Sequence, residues 1–96
     1  MSDFTFEWDT EKDRINHQKH KIWFDEAVTV FEDANVKFYP DDEHSQDEDR
    51  FIAIGFSNVP RLLLVCHCYR GDGTRIRIIS ARKADRFESA LYGGEL

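Results

Sequence analysis

RLLLVCHCYRGDGTRIRIISA (residues 61–81) is the stretch that decides the fold of this chain. Residues 61–70 are almost continuously apolar, as expected of a central strand covered on both faces. GDG (71–73) is a hairpin turn, and 74–81 runs back as the next strand. Side chains alternate along a strand, so Ile76 and Ile78 share one face while Arg75 and Arg77 share the other, about 7 Å apart. Arg82, Lys83 and Arg86 follow directly. A guanidinium offers a planar fork of donors that matches phosphate oxygens. Such a face suits an RNA backbone, a protein partner, or the chain's own carboxylates, with Glu7, Glu48 and Glu88 as candidates. The pattern leaves all three open.

Outward from the hairpin, RFIAIGFS (50–57) reads as a strand in which Gly55 is a candidate bulge, and NVKFY (35–39) as another that ends at Pro40. PDDEHSQDED (40–49) is a loop with six acids and one histidine. FTFEW (4–8) alternates as a first strand does, and Asp9 and Thr10 are N-cap candidates for a helix over 10–20. That helix is unusual because Ile15 is its only strong apolar residue. Lys12, Asn16, Lys19 and His20 fall on one stripe, either a solvated face or the border of a polar cleft. Residues 23–33 form an amphipathic helix with Phe24, Ala27, Val28 and Phe31 inward. The last helix lies within 82–92, carries Ala84, Phe87, Ala90 and Leu91, and stops at Gly93-Gly94. This order predicts one α+β domain over residues 1–96: a mostly antiparallel sheet with two N-terminal helices on one face and one C-terminal helix.

The composition agrees. With 96 residues there is room for one domain, and 41% hydrophobic content is enough for one core. No run approaches the ~20 apolar residues of a membrane span, and MSDFTFEWD does not read as a signal peptide, so a cytoplasmic location is expected. Cys66 and Cys68 sit two apart on one strand face, about 7 Å from each other, at or beyond disulfide reach. They read as buried thiols, since a CHC metal site would lack further ligands. The net charge of -6 argues against tight nonspecific nucleic-acid binding. It is uneven, however: residues 1–60 hold 6 basic and 15 acidic side chains, residues 61–96 hold 7 and 4.

FEWDTEKDRINHQKH, FDEAVTVFED, DEHSQDEDRFIAIG, LLLVCHCYR and RIRIISARKADRFE together resemble the BrnT toxin family over about residues 4–92. RIISARKA and the KH…F-x-E-A spacing are the most specific parts. The resemblance implies a RelE-like fold and a small ribonuclease, the toxin of a type II toxin–antitoxin pair. It implies a BrnA-like antitoxin partner, operator DNA contacted only through that antitoxin, and a possible dimer of toxin–antitoxin heterodimers. Two positions depart from the family pattern: Lys21 stands where glycine is usual, and Trp23 where a small N-cap residue is common.

Metal-free RNA cleavage needs a base for the 2′-hydroxyl, cations for the crowded phosphorane and an acid for the leaving oxygen. Candidate catalytic residues are His20, His67 and Arg77. His20 reads equally well as a helix C-terminal cation. His67 is either a satisfied core histidine or a catalytic group beside Arg77, if the two share a sheet face. Lys12, Lys19, Arg50, Arg75, Arg82 and Tyr92 are candidate RNA contacts, and Arg82 is expected at a strand-to-helix junction that favours anions. Tyr92 could equally anchor the last helix. His44 reads as a solvated loop residue, with a metal site alongside Asp41, Asp42 and Glu48 as the alternative. No cofactor or metal is expected. The rivals to a metal-independent endoribonuclease are a noncatalytic module whose basic face binds an acidic protein, and a metal-dependent hydrolase using the acidic loop.

Overall fold

The computed structural model describes residues 4–46 and 48–94. The hairpin forms as the sequence requires. Leu62–Arg70 and Arg75–Lys83 pair antiparallel, and Phe51–Phe56 pairs antiparallel on the other side of Leu62–Arg70. Lys37–Pro40 adds an antiparallel edge, and Thr5–Glu7 lies parallel to Arg75–Arg77 as the opposite edge. In chain order these are β1 (Thr5–Glu7), β2 (Lys37–Pro40), β3 (Phe51–Phe56), β4 (Leu62–Arg70) and β5 (Arg75–Lys83), arranged spatially as β1-β5-β4-β3-β2. The helices are α1 (Thr10–His20), α2 (Phe24–Ala27) and α3 (Arg86–Gly93).

Asp9 is the cap that starts α1: its Oδ1 accepts from the Glu11 and Lys12 N–H groups at 2.9 and 3.0 Å. Lys21 ends the helix in the left-handed region, φ 63° and ψ 32°, donating its N–H to the His17 carbonyl. This is the conformation that glycine would serve without strain. Asp13 then accepts from the Phe24 N–H at 2.8 Å, which fixes where α2 begins although Trp23 provides no side-chain cap.

The core lies between one sheet face and the segment 22–36. Ile22, Phe24, Ala27 and Val30 pack on Ala53, Leu63, Val65, Ile76, Ile78 and Ala81. On the opposite face α3 covers one end, where Tyr92 meets Phe56 edge-on and its hydroxyl donates to Asp33 at 2.8 Å.

Three expectations are corrected. Residues 23–33 are not one helix: α2 lasts one turn and tightens into a 3-10 helix at Val28–Glu32, as β-branched Val28, Thr29 and Val30 disfavour a longer α-helix. Gly55 is in regular register, and its missing side chain instead lets Val30 approach, since a Cβ there would stand 3.0 Å from Val30 Cγ1. The irregularity lies between β4 and β5, where Cys66 faces Ser80 but His67 faces Ile78, leaving Ile79 as an extra residue. The last helix starts only at Arg86, because Arg82 and Lys83 remain in β5 and Ala84 lies before it, and Phe87 on that helix is 62% exposed. No helix among the described residues is long and apolar enough to cross a membrane.

Candidate active site

β1 is too short to cover β5 beyond Arg77, so the rest of that edge is open to α1. Asn16, the buried residue of α1, fills the role of a strand there. Its Nδ2 donates to the Ala81 carbonyl at 2.9 Å, and its Oδ1 accepts from the Ala81 N–H at 3.0 Å. Nδ2 also donates to the Ile22 carbonyl at 3.0 Å. The α1 stripe, which the sequence left as either a solvated face or the border of a polar cleft, borders a hollow. Lys12, Lys19 and His20 line a hollow of about 190 Å³ together with Ile15, Asn16 and the bulge residues Ile79 and Ser80. Among the described residues, Lys12, Lys19 and His20 pair with no carboxylate.

The same bulge forms one wall of a second hollow, about 330 Å³, on the far face of the sheet. Arg50, Arg82, Glu88, Cys66, Asp41 and His44 are among the residues around it. His44 was read as a solvated loop residue, and its ring is largely exposed, but Nδ1 lies 3.0 and 3.1 Å from the two Asp41 carboxylate oxygens. A carboxylate on Nδ1 fixes the tautomer and leaves Nε2 for chemistry. Spacing 41–44 was the available signal, since i,i+3 partners meet on a helical turn and Asp42–His44 forms one.

The opening question about the arginines has a definite answer in the fold. They meet the chain's own glutamates. Glu7 faces Arg77 in register and takes both Arg77, at 2.8 Å, and Arg75, at 3.3 Å. Glu48 lies 3.2 Å from Arg70 and 3.9 Å from Arg50. Arg82 makes a forked pair with Glu88 at 2.8 and 2.7 Å, which pushes the guanidinium pKa above its ordinary value. Two of these three glutamates each serve two arginines, so each such triplet keeps one positive charge.

Several candidate residues stand elsewhere than expected. His67 is fully buried and shares the helix-covered face with Ile76 and Ile78, opposite to Arg77. The expected juxtaposition of His67 with Arg77 is therefore corrected: Ile78, not Arg77, is the residue across from it, and Arg77 faces Cys68. Burial drives the His67 pKa down to about 4. Its Nδ1 lies 3.3 Å from the Val65 carbonyl and its Nε2 has no partner among the described residues, which defines a neutral ring. Tyr92 lines neither hollow and anchors α3. Arg82 lies short of the α3 N-terminus, which Asp85 and Glu88 already close in a capping box, so no anion site is left open there. Cys66 and Cys68 are free, buried thiols; burial and Asp41 push Cys66 up to about 11.

The fold as a whole is similar to that of a small ribonuclease toxin of known structure. The crystal structure of the Brucella abortus ribonuclease toxin BrnT matches with a TM-score of 0.66 at 25% identity, covering 86% of this chain and 99% of that one. The family model for the ribonuclease toxin BrnT of type II toxin–antitoxin systems matches residues 8–88. The chain belongs to the BrnT family of ribonuclease toxins. No curated protein sequence matches it.

Proposed function

We propose that this chain is a metal-independent endoribonuclease that cuts RNA by attack of a 2′-hydroxyl on the adjacent phosphorus, and so inhibits translation. The observation that carries this reading is the α1–β5 hollow, where Lys12, Lys19 and His20 line one wall beside the Ser80 bulge and, among the described residues, make no ion pair with a carboxylate. The two ammonium groups hold the non-bridging oxygens of the scissile phosphate. His20 takes the 2′-hydroxyl proton, the new O2′–P bond forms and the P–O5′ bond breaks. A neighbouring ammonium returns a proton to the 5′-oxygen, leaving a 2′,3′-cyclic phosphate and a 5′-hydroxyl.

Arg75 and Arg77, with their one surplus charge over Glu7, hold the flanking backbone along β5, so Arg77 positions the strand rather than the reacting phosphate. Arg50 and Arg82 serve the second hollow, where the Asp41–His44 pair is a further proton carrier. His67 has a structural role, because its ring is buried on the other face. The partner is a BrnA-like antitoxin that carries the operator-binding function, in a dimer of toxin–antitoxin heterodimers, and the setting is the cytoplasm.

The test is cleavage of total RNA by the purified chain in EDTA, beside His20→Asn and Lys12→Ala/Lys19→Ala variants of unchanged fold. Loss of at least 100-fold in rate in both, with cyclic-phosphate termini from the parent, supports the reading. Full activity in His20→Asn, or activity abolished by EDTA, overturns the mechanism.

A further inference from the structure

The two hollows are neighbours. Ile79 and Ser80 wall both of them at the β5 bulge. Their charges differ. Among the described residues that line it, the α1–β5 hollow has cations and no carboxylate. The second hollow sets Asp41, Glu43 and Glu88 against Arg50 and Arg82, so its carboxylates outnumber its guanidinium groups. A phosphate is attracted to the first and gains nothing from the second. The floor of the second hollow is flat and mostly apolar. Ile52, Cys66 and Ser80 stand side by side across β3, β4 and β5, and Leu64 lies two residues from Cys66 on the same face. Its volume of about 330 Å³ falls within the range of small-ligand sites, about 300–1,000 Å³. Arg82 and Glu88 satisfy each other, and Asp41 is held by His44. Two groups on the rim are uncommitted. Glu43 makes no ion pair among the described residues. Arg50 meets Glu48 only at 3.9 Å, beyond hydrogen-bond reach, and its Nε is buried without a partner.

We propose that the second hollow binds a guanine base of the RNA, on a nucleotide flanking the phosphate held in the α1–β5 hollow; the proposal rests on the ribonuclease reading of that hollow. Phosphate contacts position a nucleic acid, and base contacts specify its sequence. In single-stranded RNA a base can be splayed out and read along its edges. Here the cationic hollow takes the charged part of the nucleotide. The hollow with surplus carboxylate takes the neutral part, the base, whose ring face lies on Ile52, Leu64 and Cys66. The free rim groups name the base. A guanidinium fork asks for two adjacent acceptors, and a carboxylate for two adjacent donors. Guanine alone among the four bases carries both, O6 beside N7 and N1–H beside the N2 amino group. Arg50 serves the first pair and Glu43 the second. A free guanine nucleotide carries the same base, and the experiment separates the two sources.

The experiment measures cleavage of single-stranded oligouridylates that carry one guanine, adenine or cytosine at a fixed central position. The intact chain is compared with Glu43→Gln and, as a second variant, Arg50→Gln. Binding of the same oligonucleotides is measured in a His20→Asn background, with and without Glu43→Gln, so that no cutting is needed. Binding of free guanosine monophosphate is measured by calorimetry. The expected result is cutting about tenfold faster beside guanine than beside the other bases, and a binding preference of similar size. In each variant the guanine preference should shrink to within about threefold. Parental cleavage that treats the four bases alike overturns the proposal and leaves the ribonuclease reading standing. A guanine preference that survives in both variants also overturns it, because the base is then read elsewhere. So does tight binding of guanosine monophosphate without any base preference on RNA, which would make the hollow a site for a free nucleotide. A parent that cuts nothing, yet binds the guanine oligonucleotide preferentially and loses that preference with Glu43→Gln, leaves the base site standing while the ribonuclease reading fails.

Discussion

Asn16 on α1 and Ala81 on β5, 65 residues apart in the chain, exchange a complete pair of amide hydrogen bonds. A side chain thus takes the place that a longer β1 would fill along β5. It also sets the distance between the cations of α1 and the bulge in β5. Replacing Asn16 by Ala removes three bonds and leaves the Ala81 N–H and two carbonyls in a buried place. The expected loss is about 2–4 kcal/mol of stability. Urea titration checks it, and Asn16→Asp should be no better, since it sets a carboxylate oxygen against carbonyls.

Glu7 stands between Arg75 and Arg77. Glu7→Gln should leave both guanidinium groups free to meet phosphate, so RNA affinity should rise at low salt. The slope of log affinity against log salt should steepen by about 0.7, one extra phosphate contact on a single strand. A catalytically dead His20→Asn background allows the measurement with uncut RNA. An unchanged slope would mean that RNA does not follow β5.

His67 makes folding pH-dependent. Its pKa is 6.5 in an ordinary setting and about 4 in the fold. Below pH 6.5 the unfolded chain binds a proton that the folded chain refuses, so stability falls as pH drops from 6.5 to about 4 and levels off below. Above 6.5 the contribution is fully present. The full span is about 3 kcal/mol. His67→Phe should flatten this part of the stability–pH curve while leaving RNA cleavage within a fewfold of the parent. Abolished cleavage in a folded variant would give His67 the catalytic role that its burial argues against.

Lys21 holds a left-handed conformation with φ 63°. Lys21→Gly should relieve that strain and raise stability by about 0.5–1 kcal/mol. A thermal melt checks this, with no change expected in cleavage rate. A lower melting temperature would show that the Lys21 Nζ bond to the Gln18 carbonyl, at 3.2 Å, outweighs the strain.

Residues 61–81 displayed their hairpin plainly because a nine-residue apolar strand, a GDG turn and strict alternation all agree. The Lys12–Asn16–Lys19–His20 stripe was legible only in part: a helix without apolar residues on such a stripe faces either solvent or something polar, and the sequence does not choose between them. What could not be read was the pairing between distant elements. Whether His67 shares a face with Arg77 depends on the β4–β5 register that the turn sets, with Arg70 opposite Arg75 and therefore His67 opposite Ile78, and no spacing within either strand reveals it. Gly55 drew attention as a bulge because glycine often marks one, yet its role comes from Val30, 25 positions earlier. Charge alone names Glu7, Glu48 and Glu88 as partners for the arginines; that Glu7 and Glu48 each divide themselves between two arginines is a matter of three-dimensional spacing. Asp41 and His44 were within reach of the sequence, but a loop so rich in acids hides any one useful carboxylate.

The bulge at Ile79 has a consequence for insertion and deletion. The first half of β5 takes its phase from β1, through Glu7 opposite Arg77. The second half takes its phase from α1, through Asn16 on Ala81. Counted along the chain these two anchors are out of step by one residue, and Ile79 is the extra residue that accounts for it. Deleting it would leave both anchors in place, because Ile78 opposite His67 would be followed directly by Ser80 opposite Cys66 and Ala81 opposite Val65, in plain alternation. The strand therefore behaves as two splints joined at a single vertebra: removing that vertebra would straighten the strand without turning any side chain over, and what it would cost is the wall that Ile79 gives to both hollows.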